Sequence, residues 1–138
     1  MSTIALTPHS NHVRGELKAG ASGIVPGHLV DIVNGTYRVH SSAVTACAKM
    51  FALEKISTAG DIDEGYISGE TVFVGSFPAG ERVNALLKSG ETVTDGALVT
   101  SGGNGTLVAT GATVTNAIGY SRSSLTASGS TRIVVELI

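Results

Sequence analysis

Glycine turns interrupt residues 77–107 at short intervals, and this punctuation restricts the possible fold more than any other feature. The stretch reads FPAGERVNALLKSGETVTDGALVTSGGNGTL, with turn signals at Gly80, Gly90, Asp95-Gly96 and Gly102-Gly103-Asn104-Gly105. Each interior glycine would cost a helix about 1 kcal/mol relative to alanine, whereas Asp-Gly and Asn-Gly supply the positive φ angles that tight β-turns need. Short strands are therefore expected. Val83, Ala85 and Leu87 alternate with Arg82, Asn84 and Lys88, which turns one face towards a core. Leu86 breaks the alternation and predicts cover on the second face too, by another sheet or another copy of the chain.

The same logic extends along the chain. Leu29 to Val33 and Thr36 to Val39 are β-rich runs joined by Asn34-Gly35, the signature of a hairpin with a type I′ turn. Residues 70–74 form a further strand with Val72 and Val74 on one face. Residues 106–110, 113–120 and 132–137 follow at turn spacings typical of sandwiches and barrels. Residues 121–130 read as a polar, solvent-facing loop. Residues 41–56 have helix-favouring composition, and the expectation there is a short turn or helix followed by a strand over residues 50–55. The fold class is all-β, a compact barrel of short strands with at most one short helix.

At 138 residues the chain is expected to be one β domain over residues 15–138, preceded by an N-terminal arm over residues 1–14. Thr3, Ile4, Ala5, Leu6 and Thr7 form the arm's apolar patch and its flanks, able to add as a strand to a partner's sheet edge; a frayed terminus is the alternative. The start of the chain lacks the pattern of a signal peptide, and no run of about 18 apolar residues suggests a membrane span.

Composition excludes several function classes. The formal net charge is −2 with no basic cluster, so the electrostatic term that drives nucleic-acid binding is missing. A single cysteine, Cys47, permits neither an intrachain disulfide nor a cysteine-rich zinc site, and a reducing cytoplasm is the expected place of synthesis. His9, His12, His28 and His40 show no HxH or HxxxH spacing; His28 and His40 flank one predicted hairpin, with Asp31 as a conceivable third ligand. The acidic run Asp61-Ile62-Asp63-Glu64-Gly65 lacks the ligand spacing of a calcium loop and reads as a solvated turn. No G-x-S-x-G or phosphate-binding glycine motif occurs, Cys47 lies in an alanine-rich run, and Lys88 lacks the flanking residues of a carrier lysine. The expectation is a protein that is not an enzyme and uses no cofactor, metal, nucleic acid or membrane.

One ordered series of residues carries a family resemblance. It begins at Met50-Phe51-Ala52-Leu53-Glu54, passes through Tyr66 with Ser68-Gly69-Glu70-Thr71-Val72, and reaches Pro78-Ala79-Gly80-Glu81-Arg82-Val83-Asn84-Ala85-Leu86-Leu87. It continues over Val93, Asp95-Gly96, Leu98, Ser101-Gly102, Gly105 and Leu107, then Ile118-Gly119-Tyr120, and closes on Arg132-Ile133-Val134-Val135-Glu136-Leu137. Over roughly two-thirds of its length the chain thus resembles the small capsid decoration, or cement, proteins of tailed bacteriophages. The resemblance implies a β-barrel or β-tulip that forms homotrimers on the outer surface of the virion head. It implies binding to the major capsid protein at local three-fold positions and resistance to the pressure of packaged genome. On that reading the arm binds capsid, and Val83, Leu86 and Leu87 form the trimer contact. The rival reading is a carbohydrate- or receptor-binding β module of a head fibre or tail, for which Tyr37, Tyr66 and Tyr120 plus three phenylalanines are the available aromatic residues.

Overall fold

The computed structural model describes residues 13–55 and 63–138, which form twelve strands and no helix. They are β1 (Val13–Lys18), β2 (Val30–Val33), β3 (Thr36–Val39), β4 (Met50–Ala52), β5 (Thr71–Ser76), β6 (Arg82–Leu87), β7 (Thr92–Val93), β8 (Leu98–Gly103), β9 (Thr106–Val108), β10 (Gly119–Ser121), β11 (Leu125–Thr126) and β12 (Thr131–Leu137).

The expected alternation in the organising stretch builds a closed barrel in the order β10-β12-β6-β9-β8. Val83, Ala85 and Leu87 point inward with Ile133, Val135, Leu137, Val99 and Leu107, all fully or nearly fully buried. The long β6–β12 pairing sets the register (Val83↔Val135, Ala85↔Ile133), and a parallel contact, Leu87↔Leu107, closes the ring. Closure removes the exposed edges that a short-stranded open sheet would present.

A second, smaller set of strands lies beside the barrel. Strands β1, β5 and β4 pair in that order, and the β2–β3 hairpin joins them through bridges Ala19↔Tyr37 and Leu29↔Phe51. These strands enclose their own core of Ile24, Val30, Tyr37, Ala52, Tyr66, Val72 and Val74. Strand β4 is the wall between the two cores: Phe51 packs into the barrel side, at 6.3 Å from Phe77, while its neighbour Ala52 packs into the smaller core. Period-two alternation with both faces apolar produces this arrangement.

Loops tie the two parts together through backbone hydrogen bonds. Gly105, in the β8–β9 turn, accepts from the Leu29 N–H (2.8 Å) and donates to the His40 carbonyl (2.9 Å). Its φ of +75° and the approach of Leu29 O to within 3.0 Å of where a Cβ would sit both require glycine there. A second close approach occurs at Gly119, which pairs with β8 on one side and β12 on the other. A Cβ at Gly119 would collide with the Glu136 carbonyl and stand 2.9 Å from Val135 Cγ1. Gly119→Ala is expected to destabilise the fold by about 1–3 kcal/mol through overpacking against backbone that cannot yield. Thermal denaturation checks this, with a drop in Tm on the order of 3–10 °C anticipated.

The hairpin at Asn34-Gly35 forms as expected, with positive φ at both turn residues (51° and 75°) and Val33 opposite Thr36. Elsewhere the structure corrects the sequence reading. Residues 41–49 contain no helix: Ser42, Ala43 and Val44 lie against β8, with Ala43 bridged to Gly102, the Val44 N–H on the Ser101 carbonyl at 2.7 Å and Val44 itself at positive φ. Pairing with a sheet edge outweighs a helix propensity worth only tenths of a kcal/mol per residue. The strand expected over residues 50–55 ends at Ala52. Residues 113–117 turn instead of extending, because Asn116 Oδ1 takes the Thr113 N–H at 2.9 Å and so satisfies the backbone locally. Within the polar loop, β11 pairs with β7, and the Thr92 and Thr126 hydroxyls meet at 2.8 Å. Strand β1 begins at Val13, so the last two residues assigned to the arm belong to the sheet.

Candidate functional site

The residues proposed for the capsid contact, Thr3, Ile4, Ala5, Leu6 and Thr7, lie outside the described residues, as do His9 and His12. Val83, Leu86 and Leu87, proposed for the trimer contact, are all covered within the single chain. Val83 and Leu87 are 0 % exposed in the barrel core. Leu86, on the other face, is capped by the segment that ends at Gly27, whose carbonyl accepts the Leu86 N–H at 3.2 Å. The second cover predicted for Leu86 is therefore a loop of the same chain, and these side chains leave no surface for another copy.

A cleft of about 710 Å³ lies between the two parts of the fold. One wall is the β2–β3 hairpin with the loop before it; the other is made of the β6–β7, β8–β9 and β11–β12 turns. Its polar lining includes Ser22, Arg38, Ser41, Lys88, Asn104 and Ser130. Arg38 alternates with the buried Tyr37 on β3, so the strand's period directs it outward. It lies across Gly20, where a Cβ would come within 2.8 Å of its Nε.

The carboxylate of the cleft, Asp31, stands opposite Arg38 across the hairpin but is engaged by His40, Nδ1 to Oδ2 at 2.7 Å. The other ring nitrogen of His40 meets the Thr45 hydroxyl at 3.2 Å. His28 and His40 therefore do not share one ligand: His28 Nδ1 accepts the Val25 N–H at 3.0 Å, which puts its proton on Nε2. Burial and the nearby Arg132 guanidinium lower its pKa to about 4, so it stays neutral near pH 7. Among the described residues no three of His, Cys, Asp and Glu are grouped so as to hold a metal ion.

The remaining sequence candidates have structural partners. Glu64 pairs with Lys55 at 3.2 Å and Asp63 with Arg132 at 2.7 Å, so the described part of the acidic run is held by salt bridges and is not a purely solvated turn. Lys55, nearly buried, also meets Glu70 at 2.9 Å and stacks 5.3 Å from the Tyr66 ring centre. Burial pushes the half-buried Cys47 thiol up to about 11, far from a reactive thiolate. Tyr37 and Tyr66 are buried; Tyr120 is the exposed tyrosine, with Arg122 at 5.6 Å over its ring. Of the three tyrosines, Tyr120 is the one with substantial exposed surface.

No protein-family profile matches the chain, and no curated protein does. Among solved structures, the chain is similar to the gp8.5 N base of the head fiber of bacteriophage phi29. The TM-score is 0.59 at 14 % identity, over 92 % of this chain and 98 % of that one. The two share a fold over nearly their full lengths.

Proposed function

We propose that this chain is a structural, non-catalytic protein of a tailed-phage head, and more specifically a decoration protein. On this reading it binds the outside of the capsid at local three-fold positions as a homotrimer, and it stabilises the shell against packaged-genome pressure. The observation that carries the reading is the full-length fold likeness to a head fiber base. The ordered sequence series that resembles capsid decoration proteins supports it independently. Its partners would be the major capsid protein and two further copies of itself.

Avidity would supply the mechanism. Three weak arm contacts on a symmetric shell make the second and third binding events intramolecular, gaining on the order of 10² in apparent affinity per linkage. The trimer contact must use surface other than Val83, Leu86 and Leu87.

The test removes residues 1–12 and leaves β1 intact. Loss of binding to undecorated shells, with an unchanged far-UV spectrum, is the expected result; undiminished binding would remove the arm from the mechanism. Light scattering across a dilution series should report a trimer mass. A second reading, a carbohydrate- or receptor-binding module of a head fibre, is favoured by the cleft described above.

A further inference from the structure

Among the polar side chains of the cleft, hydrogen-bond donors predominate. Arg38 and Lys88 make no ion pair with any described residue, and the one carboxylate lining the cleft, Asp31, is spent on His40. Ser22 Oγ accepts the Ser68 N–H at 3.1 Å and Ser89 Oγ accepts the Gly129 N–H at 3.2 Å. Both hydroxyl protons are left to donate. The Ser41 and Ser130 hydroxyls and the Asn104 amide add to the set.

A concave site of this size, with two unpaired cations and several hydroxyls converging from five chain segments, is built for a ligand rich in acceptor oxygens. We infer that the cleft binds an acidic saccharide, one or two sugar rings carrying a carboxylate. The guanidinium of Arg38 provides a planar fork for the carboxylate, Lys88 a second positive charge, and the serines and Asn104 meet ring and hydroxyl oxygens. An acidic peptide fits less well, because its backbone brings as many N–H donors as acceptors and the cleft's own carboxylate is already engaged. A neutral sugar fits less well because no Phe, Tyr or Trp is among the described residues that line the cleft. The inference deepens the second reading above and is independent of capsid attachment.

The test titrates the full chain, labelled with nitrogen-15, with a uronate-containing disaccharide. The same titration uses the neutral disaccharide of equal size, inorganic phosphate and a glutamate-rich peptide. Amide shifts confined to Ser22, Arg38, Ser41, Lys88, Asn104 and Ser130 are expected with the uronate, weakening as salt is raised. Arg38→Gln and Lys88→Met, both at exposed positions, should each weaken binding by about tenfold while leaving the spectrum folded. Equal binding of the neutral disaccharide, of phosphate alone or of the peptide would overturn the inference. So would the absence of shifts, or shifts unaffected by both substitutions. Saccharide binding that survives both substitutions would sink the cleft but keep the second reading. Shell binding by the double variant reports on the capsid reading separately.

Discussion

Replacing Phe51 by alanine should cost about 3–5 kcal/mol, the largest single-residue effect expected in this protein. Phe51 is 0 % exposed and projects from β4 into the barrel core, where it meets Phe77 and lies with Leu29 and Leu53. Its backbone pairs with Gly75 on one side and Leu29 on the other. The cavity would therefore open beside the wall shared by both cores, which cannot collapse without moving strands on each side. A domain of this size is stable by only about 5–15 kcal/mol, so the variant should unfold at a much lower urea concentration. Equilibrium urea unfolding measures this. A lower midpoint with unchanged slope is the expected outcome, and Phe51→Leu should recover most of the loss. A midpoint shift equivalent to less than about 1 kcal/mol after multiplication by the slope would mean that the wall is not a joint support of the two cores.

Acidification should weaken the fold well before its carboxylates titrate. The folded-state pKa of His28 lies at about 4, against an ordinary value of 6.5, because the ring is desolvated and Arg132 is close. A depressed histidine favours the neutral form in the folded state, so its contribution is fully present above pH 6.5. It is lost as pH falls from about 6.5 to about 4, where the folded protein finally takes up the proton. The full shift corresponds to about 3 kcal/mol. Below about pH 4.5 the loss continues through Glu70 and Glu136. Their folded-state pKa values are lowered, Glu70 first by the Ile67 N–H and then by Lys55, Glu136 first by Arg122 and also by Arg82. Urea midpoints measured between pH 7 and 4.5 isolate the histidine. His28→Asn, whose Oδ1 can take over the bond from Val25 N–H without titrating, should flatten the profile in that window. An unchanged slope in the variant would assign the acid sensitivity to another group.

Two features account for how far the residues could be read without coordinates. Turn chemistry is local: Asn34-Gly35 needs only its own two residues to specify the hairpin, and the expected pairing of residues 30–33 with 36–39 is found. Alternation is also local, and Val72, Val74, Val83, Ala85, Leu87, Ile133, Val135 and Leu137 all face the cores as their period requires. The candidate site was far less legible. Arg38 could have been singled out as the outward neighbour of Tyr37, and Asn104 as a turn residue. Neither carries any signal that the two would line the same cleft, since they reach it from different parts of the fold.

From the sequence by itself follow the all-β class, the turn positions, the inward faces and the lack of a nucleophile or phosphate-binding motif. These rest on glycine's freedom at positive φ and on the two-residue period of a strand, which act within a few residues. Tertiary structure alone decided three things: the parallel Leu87↔Leu107 closure, the docking of Ala43 and Val44 against β8, and the cover on Leu86 from Gly27 of the same chain. Each depends on segments distant in sequence meeting in one register. The free energy of that meeting comes from the burial and backbone pairing of both partners together, and neither segment encodes it alone.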